Sequence, residues 1–297
     1  MALSDVMEWM ARALVARSDE LAIIACFVVL ELAIRSQYLR QLRRRRVAID
    51  LLYAFLFRFG VFTALLDRPT IVFVQQHVTL HAFGSVPEWV RVVAYAIVLD
   101  LTNYWIHRVE HAVPALWAVH QVHHSQDELT ILSTYRNHPI DTWMRSVFGP
   151  TIFMLLFGVS PTTWLGISLV WDVVLNLSHF EVPWTYGPLR HLFVSPVSHA
   201  IHHSVEDRHQ HRNYGAILSV WDRLFGTADL ARERPAQVGL PGWSVPESMP
   251  AHIWAPLRGI VRHLRGLPMD DLAPLAPLAP LAPLAPPASS AAAPSPE

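Results

Sequence analysis

The chain has 297 residues, a net charge of −1 and 52% hydrophobic residues, with only 16% charged and a mean hydropathy of +0.28. A charged fraction this far below the usual quarter points to a membrane protein or a deeply buried one, and the near-neutral balance argues against nucleic acid as a partner. The single cysteine, Cys26, excludes an intrachain disulfide and any cysteine-built metal or iron–sulfur site, so nitrogen and oxygen must hold any bound metal.

Residues 1–20 mix apolar and charged positions and suit an interfacial helix, with no secretory signal read in them. "LAIIACFVVLELAI" (21–34) is apolar except for Glu31 and is short for a membrane span. "RSQYLRQLRRRR" (35–46) carries six arginines. "VAIDLLYAFLFRFGVFTALL" (47–66) has the length of a span but contains Asp50 and Arg58. "VRVVAYAIVLDLTNYWI" (90–106) reads as a third span, with Asp100 inside it. Two shorter apolar runs, 147–159 and 162–177, meet at Ser160–Pro161, where proline suits the turn. The tail is a repeated Leu-Ala-Pro unit (272–286) followed by Ser, Ala and Pro, a composition that favours extended, unpacked chain.

Charge sets the expected orientation. The arginine cluster at 35–46 belongs on the cytoplasmic side, which brings His107 and His179 to that same face. The expected fold is an all-α integral membrane bundle of about four spanning or re-entrant helices, under a cytoplasmic histidine-rich helical cap. The chain divides into N-terminal membrane helices (1–94), a catalytic region (95–228), a C-terminal region (229–271) and a disordered tail (272–297). The basic residues are all arginine. With the richness in Ala, Pro and Leu, this suits a GC-rich bacterial genome, and hence an inner membrane with the histidines facing the cytoplasm.

Thirteen of the 17 histidines lie between 107 and 211. "HRVEH" (107–111) places His107 and His111 one helical turn apart. "HQVHH" (120–124) and "HAIHH" (199–203) repeat one spacing, with His120, His123 and His124 in one and His199, His202 and His203 in the other. Positions i, i+3 and i+4 share a helix face, so each box is expected to aim its imidazoles at a single point. Imidazole suits iron, zinc, copper and nickel, but eight such ligands exceed one tetrahedral zinc, and two metals fit the count better. His179 is expected to join them. His138, in "YRNHP", is a further candidate that competes with a turn-capping role. Asp100 precedes His107, and Asp172 precedes His179, by seven residues or two helical turns. Each is expected to accept the outer N–H of an imidazole from a neighbouring helix. His191, His209 and His211 are expected outside the metal site. His77, His81, His252 and His263 carry no assignment.

These pieces resemble the membrane fatty acid hydroxylase/sterol desaturase superfamily. "HRVEH", "HQVHH", "NHP" (137–139), "LSHF" (177–180), "HAIHH" and "NYGAILSVWDRLFGT" (213–227) keep the family's order and rough spacing across residues 95–228. The resemblance implies that His107, His111, His120, His123, His124, His179, His199, His202 and His203 hold a non-haem di-iron centre, with His138 as an additional histidine. It implies O2 as co-substrate, a lipid substrate, and hydroxylation or desaturation of a C–H bond, with no catalytic side chain beyond the metal ligands. No fused cytochrome b5-like module is read in the chain, so electrons are expected from a separate donor, a ferredoxin or a cytochrome b5-like protein with its reductase.

Three other readings compete. A membrane metal transporter should hold its ligands near the bilayer midplane, not at one face. A haem electron carrier needs only two axial histidines per haem. A zinc hydrolase needs a general base, for which Glu110 in "HRVEH" is conceivable, though it is set beside the second histidine rather than in the usual HEXXH order.

Overall fold

The computed structural model describes residues 44–58, 83–148, 156–158, 161–240 and 248–268, with scattered positions at 22, 25, 26, 28–31, 33 and 73. Helix α1 (Arg44–Tyr53) runs into a single π-turn (Ala54–Arg58). Then follow α2 (Glu88–Glu110), α3 (Pro114–His124), α4 (Pro139–Ser146), α5 (Pro161–Ser178), α6 (Pro196–His202), the short α7 (Val220–Leu224) and α8 (Met249–Leu264). Tight 3-10 turns cover Ile131–Tyr135, Gly187–His191 and Asp207–His209. Among the described residues there is no β-strand, only isolated bridges at Phe193–Leu218 and Ser204–Val238. The chain is all-helical there, as expected.

Proline starts most of these helices. Pro114, Pro139 and Pro196 stand in the first turn, where the missing N–H costs nothing and the fixed φ is already helical. Ser195 and Ser198 close a reciprocal cap on α6, satisfying two backbone donors that would otherwise be orphaned. α2 has Glu88 in its first turn and Arg108 in its last, two charges matched to their ends of the helix dipole.

Two of the expected spans are helices here. α2 covers 90–106 and α5 covers 162–177. Among the described residues, however, no helix is long and apolar enough to cross a membrane. α2 carries Glu88, Arg91, Asp100, Arg108 and Glu110, and α5 is broken in hydropathy by Asp172 and Asn176. The expected spans at 21–34, 47–66 and 147–159 lie wholly or partly outside the described residues, as does the 272–297 tail.

The inner face of α2 buries Tyr95, Leu99, Asp100, Tyr104, His107 and Glu110. Tyr95 and Leu99 pack against Phe157, Ile167 and Trp171. α2 lies along α3, α3 along α4 and α8, and α5 along α6. A second small core of Ile131, Phe180 and Val182 sits under the 3-10 turn at 131–135. The buried pair Asp50–Arg136, at 2.6 Å, ties α1 to the chain after that turn.

Two buried carboxylates fix the loop before α7. Asp100 accepts the backbone N–H groups of Ile217 and Leu218 at 3.1 and 3.0 Å and the indole N–H of Trp221 at 2.8 Å. Asp222 accepts from Tyr214 N at 2.7 Å, Gly215 N at 2.8 Å and the Thr227 hydroxyl at 2.7 Å. Burial pushes the Asp222 carboxyl up to about 6, against the pull of these donors. A Cβ on Gly215 would stand 2.7 Å from the Leu218 carbonyl oxygen, so this tight approach requires glycine. Asp222→Ala strands three donors in a buried site and is expected to lower stability by about 2–4 kcal/mol. Thermal unfolding of the purified chain measures it, and an unchanged midpoint would show that the loop is held by other means.

Candidate metal centre

The nine histidines of the three boxes and His179 converge into two adjacent groups. His107, His111, His120, His124 and His202 form one, and His123, His179, His199 and His203 form the other, with the candidate ligand atoms of each group within 4.8 Å of one another. All nine are buried. The His124 and His203 rings stack at 4.3 Å between centroids, which places the groups side by side.

This revises one expectation. Each HxxHH box was expected to serve one point, but each serves two. On α3 the i and i+4 residues, His120 and His124, enter the five-histidine group, while His123 enters the other. On α6 the division is exchanged: His199 and His203 join the four-histidine group, and His202 crosses to the five. Residues i+3 and i+4 are about 100° apart around a helix, which suffices to aim neighbouring side chains at different points. α2 adds His107 and His111 to the five, and the end of α5 adds His179 to the four.

Backbone carbonyls set the tautomers. His107 Nδ1 lies 2.9 Å from the Tyr214 carbonyl, His179 Nδ1 3.0 Å from that of Leu175, and His202 Nδ1 2.8 Å from that of Arg212. A ring nitrogen facing a carbonyl must carry the proton, which leaves Nε2 as a bare lone pair. Two of these carbonyls come from a loop whose flanking residues, His211 (φ 60°) and Asn213 (φ 58°), are left-handed, a conformation that costs most residues about 1–3 kcal/mol. Asn213 is held there by the Ser198 carbonyl, the Asp229 backbone and the Thr227 carbonyl.

The Nε2 nitrogens face one another, those of His179 and His202 without a proton. His202 Nε2 is 3.1 Å from His124 Nε2, His199 Nε2 is 3.1 Å from both His179 Nε2 and His203 Nε2, and His179 Nε2 is 3.4 Å from His123 Nε2. His107 Nε2, His111 Nε2 and His120 Nε2 are buried without a hydrogen-bond partner. Lone pairs so placed repel unless a cation lies between them. A metal bound at about 2.0–2.1 Å separates neighbouring imidazole nitrogens by roughly 3.0–3.4 Å, which is the spacing found here. The residues fit a pair of nitrogen-bound metal ions.

Burial holds the imidazoles neutral and ready to ligate. It pushes His179 down to about 4 and His202 down to about 3, each partly offset by its carbonyl partner, and drives His107, His111, His123, His124, His199 and His203 well below the ordinary range.

The remaining candidates lie apart. His138 caps α4, accepting the Ile140 N–H at Nδ1 with Nε2 3.1 Å from the Ile253 carbonyl. Both of its nitrogens are engaged with backbone, and it belongs to neither group. Asp100 meets backbone and indole N–H groups rather than an imidazole, and Asp172 is in neither group. The carboxylate that does meet an imidazole is Asp141, 3.0 Å from His120 Nδ1. Glu110 stands 3.4 Å from the same nitrogen, and Arg145 bridges Glu110 and Asp141. Burial raises Asp141, but Arg145 and His120 outweigh it and hold the carboxyl below its usual range, while burial keeps Glu110 well above its own. With the guanidinium already between the carboxylates, this cluster needs no third metal. The sequence signal for Asp141 was modest: an acid in the first turn of a Pro-led helix, one turn before an arginine.

Residues 92–227 match the fatty acid hydroxylase family model, and this region of the chain belongs to that family. Similar proteins include the ornithine lipid hydroxylase OlsE of Rhizobium tropici (31% identical over 57% of this chain and 52% of that protein). The human alkylglycerol monooxygenase is 27% identical over 46% of this chain and 30% of its own length. The mouse lathosterol oxidase is 28% identical over 48% of this chain and 46% of its own. The chain thus spans about half the length of these relatives or less. No solved structure matches it.

A chain stripped of metal by chelation is expected to be acid-labile. Each ligand is neutral in the fold but protonates below about pH 6.5 once unfolded. Below that pH the unfolded state binds more protons, so stability falls by up to about 1.4 kcal/mol per pH unit per histidine. The fall continues until the folded-state values are reached, about 4 for His179 and about 3 for His202. Denaturant midpoints between about pH 7.5 and about pH 5 measure this, and a flat profile would count against a cluster of buried neutral imidazoles.

Proposed function

We propose that the chain is a membrane-bound, O2-dependent di-iron oxidoreductase that hydroxylates or desaturates a C–H bond of a lipid, with hydroxylation the primary reading. The observation that carries it is the pair of adjacent, buried, all-imidazole groups, which together offer nine neutral nitrogens. Membership of the family supports the reaction class, and the three relatives are named for the oxidation of an ornithine lipid, an alkylglycerol and lathosterol. A sterol, a fatty acyl chain or a related lipid is the substrate class on this reading.

When bound, the iron pair supplies O2 activation with electrons from outside the chain. The protein's part is to hold neutral nitrogen donors in fixed tautomers, to offer no oxidisable thiolate, and to keep water away. The carbonyls of Leu175, Arg212 and Tyr214 do the first. The burial of all nine rings does the last. The electron donor is a separate redox protein, of the ferredoxin or cytochrome b5 kind.

The outer face of α2 supports a membrane location. The apolar side chains Trp89, Val93, Ile97, Trp105 and Val109 are exposed along α2. Together with the apolar stretches of the sequence they favour an inner-membrane enzyme with its metal site toward the cytoplasm. A zinc hydrolase is disfavoured by Glu110, which is bound to Arg145 on the outer, Nδ1 side of His120 and so stands away from the ligating Nε2.

Iron-loaded protein in lipid, supplied with a ferredoxin-type reductant and ¹⁸O2, is expected to place one labelled oxygen in the lipid product, read by mass spectrometry. His202→Ala is expected to reduce turnover by at least about 100-fold, and His263→Ala on the exposed end of α8 is expected to leave it unchanged. Full turnover in His202→Ala would defeat the site assignment, and hydrolysis without O2 would defeat the reaction class.

A further inference from the structure

The two histidine groups differ in what stands behind their ligands. In the four-histidine group, His179 leans on a backbone carbonyl, and among the described residues none of its four imidazoles is within hydrogen-bond distance of a carboxylate. In the five-histidine group, His107 and His202 likewise lean on carbonyls, but His120 leans on Asp141 at 3.0 Å. Arg145 Nη2 is 3.5 Å from the same ring nitrogen, so the carboxylate is the closer partner and Nδ1 carries the proton.

Three helices meet at this point. Asp141 and Arg145 sit one turn apart on α4, and Arg145 Nε donates to Asp141 Oδ1 at 2.7 Å. Its Nη2 reaches Glu110 at the end of α2. Asp141 is fully buried, so a rigid fork holds the carboxylate that in turn fixes the His120 ring. A hydrogen bond to a charged acceptor is roughly twice as strong as one to a neutral carbonyl, and it makes the imidazole a stronger donor at its other nitrogen.

We propose that Asp141 is a positioning residue that makes the two metal sites unequal: by holding His120 through a carboxylate, it gives the five-histidine site the tighter grip on its ion. The inference rests on the reading that both groups bind metal. Its consequence is an order of loading and release. The five-histidine site fills first and empties last.

The test uses the full chain loaded with ⁵⁷Fe(II) and followed by Mössbauer spectroscopy and metal analysis during dialysis against increasing chelator. His199→Ala, which removes a ligand of the four-histidine site, assigns the two signals. In the unmodified chain the four-histidine iron is expected to leave first. Asp141→Asn keeps an acceptor but removes the charge. It is expected to weaken the five-histidine site by about 10–100-fold, shift that signal alone and reverse the order of release. Asp141→Glu, which restores a carboxylate, is expected to recover part of the affinity. Release in the same order and at the same chelator concentration in Asp141→Asn would overturn the inference, as would equal loss from both sites, which marks a merely structural clamp. The order of release in the unmodified chain tests the inequality even if that variant fails to fold. Failure of the unmodified chain to take up two irons would instead overturn the metal reading itself.

Discussion

Facing nitrogens on buried imidazoles constrain this structure more than any other feature. Nε2 nitrogens of different rings stand 3.1–3.4 Å apart, those of His179 and His202 are left without a proton by their carbonyl-bound Nδ1, and positive charge between such nitrogens is favourable. Protonating the rings does not supply it, because burial drives their basicity down. Metal ions do, which makes ion binding part of the folding free energy of the region. The left-handed His211 and Asn213 follow from the same constraint. They turn the carbonyls of Arg212 and Tyr214 toward His202 and His107, and Asp222 and Asn213 secure the loop in that position.

The spacing brought the clustered histidines into view but not their partition into two groups. Spacings of three and four residues mark histidines that share a helix face, and the eight box histidines come together with His179 in the structure. Which group each ring enters depends on how the helices pack, and that packing leaves no trace in local spacing. The result is an exchange: two rings of α3 and one of α6 enter one group, and the converse holds for the other. His138 was legible only as a choice between ligand and cap, because both uses want a histidine before a proline. Its two backbone contacts mark the cap.

The carboxylates show where sequence reasoning stopped. The premise that an acid inside an apolar helix has a buried partner was sound. Seven-residue spacing suggested an imidazole partner for Asp100, but helix neighbours alone cannot reveal backbone donors 117 residues further along the chain. Asp141 escaped notice for the same reason in reverse. No histidine of either group is near it in sequence, and its meeting with His120 exists only because α4 packs on α3. Long-range polar contacts of this kind are fixed by tertiary packing, so periodicity cannot disclose them.

α2 joins the two environments that this chemistry needs. Its inner face carries polar groups that all have work at the site: Asp100 on the Ile217–Trp221 segment, His107 and Glu110 at the histidine groups. Its outer face is apolar yet exposed. Exposed apolar side chains of this kind mark a surface suited to another apolar phase. On the proposed membrane reading, lipid there would cover them and bring an apolar substrate to the wall of the histidine site. Length and hydropathy do not make α2 a spanning segment, so the membrane reading draws on these exposed apolar side chains, while the buried Asp100, His107 and Glu110 of the same helix build the centre and its supporting loop.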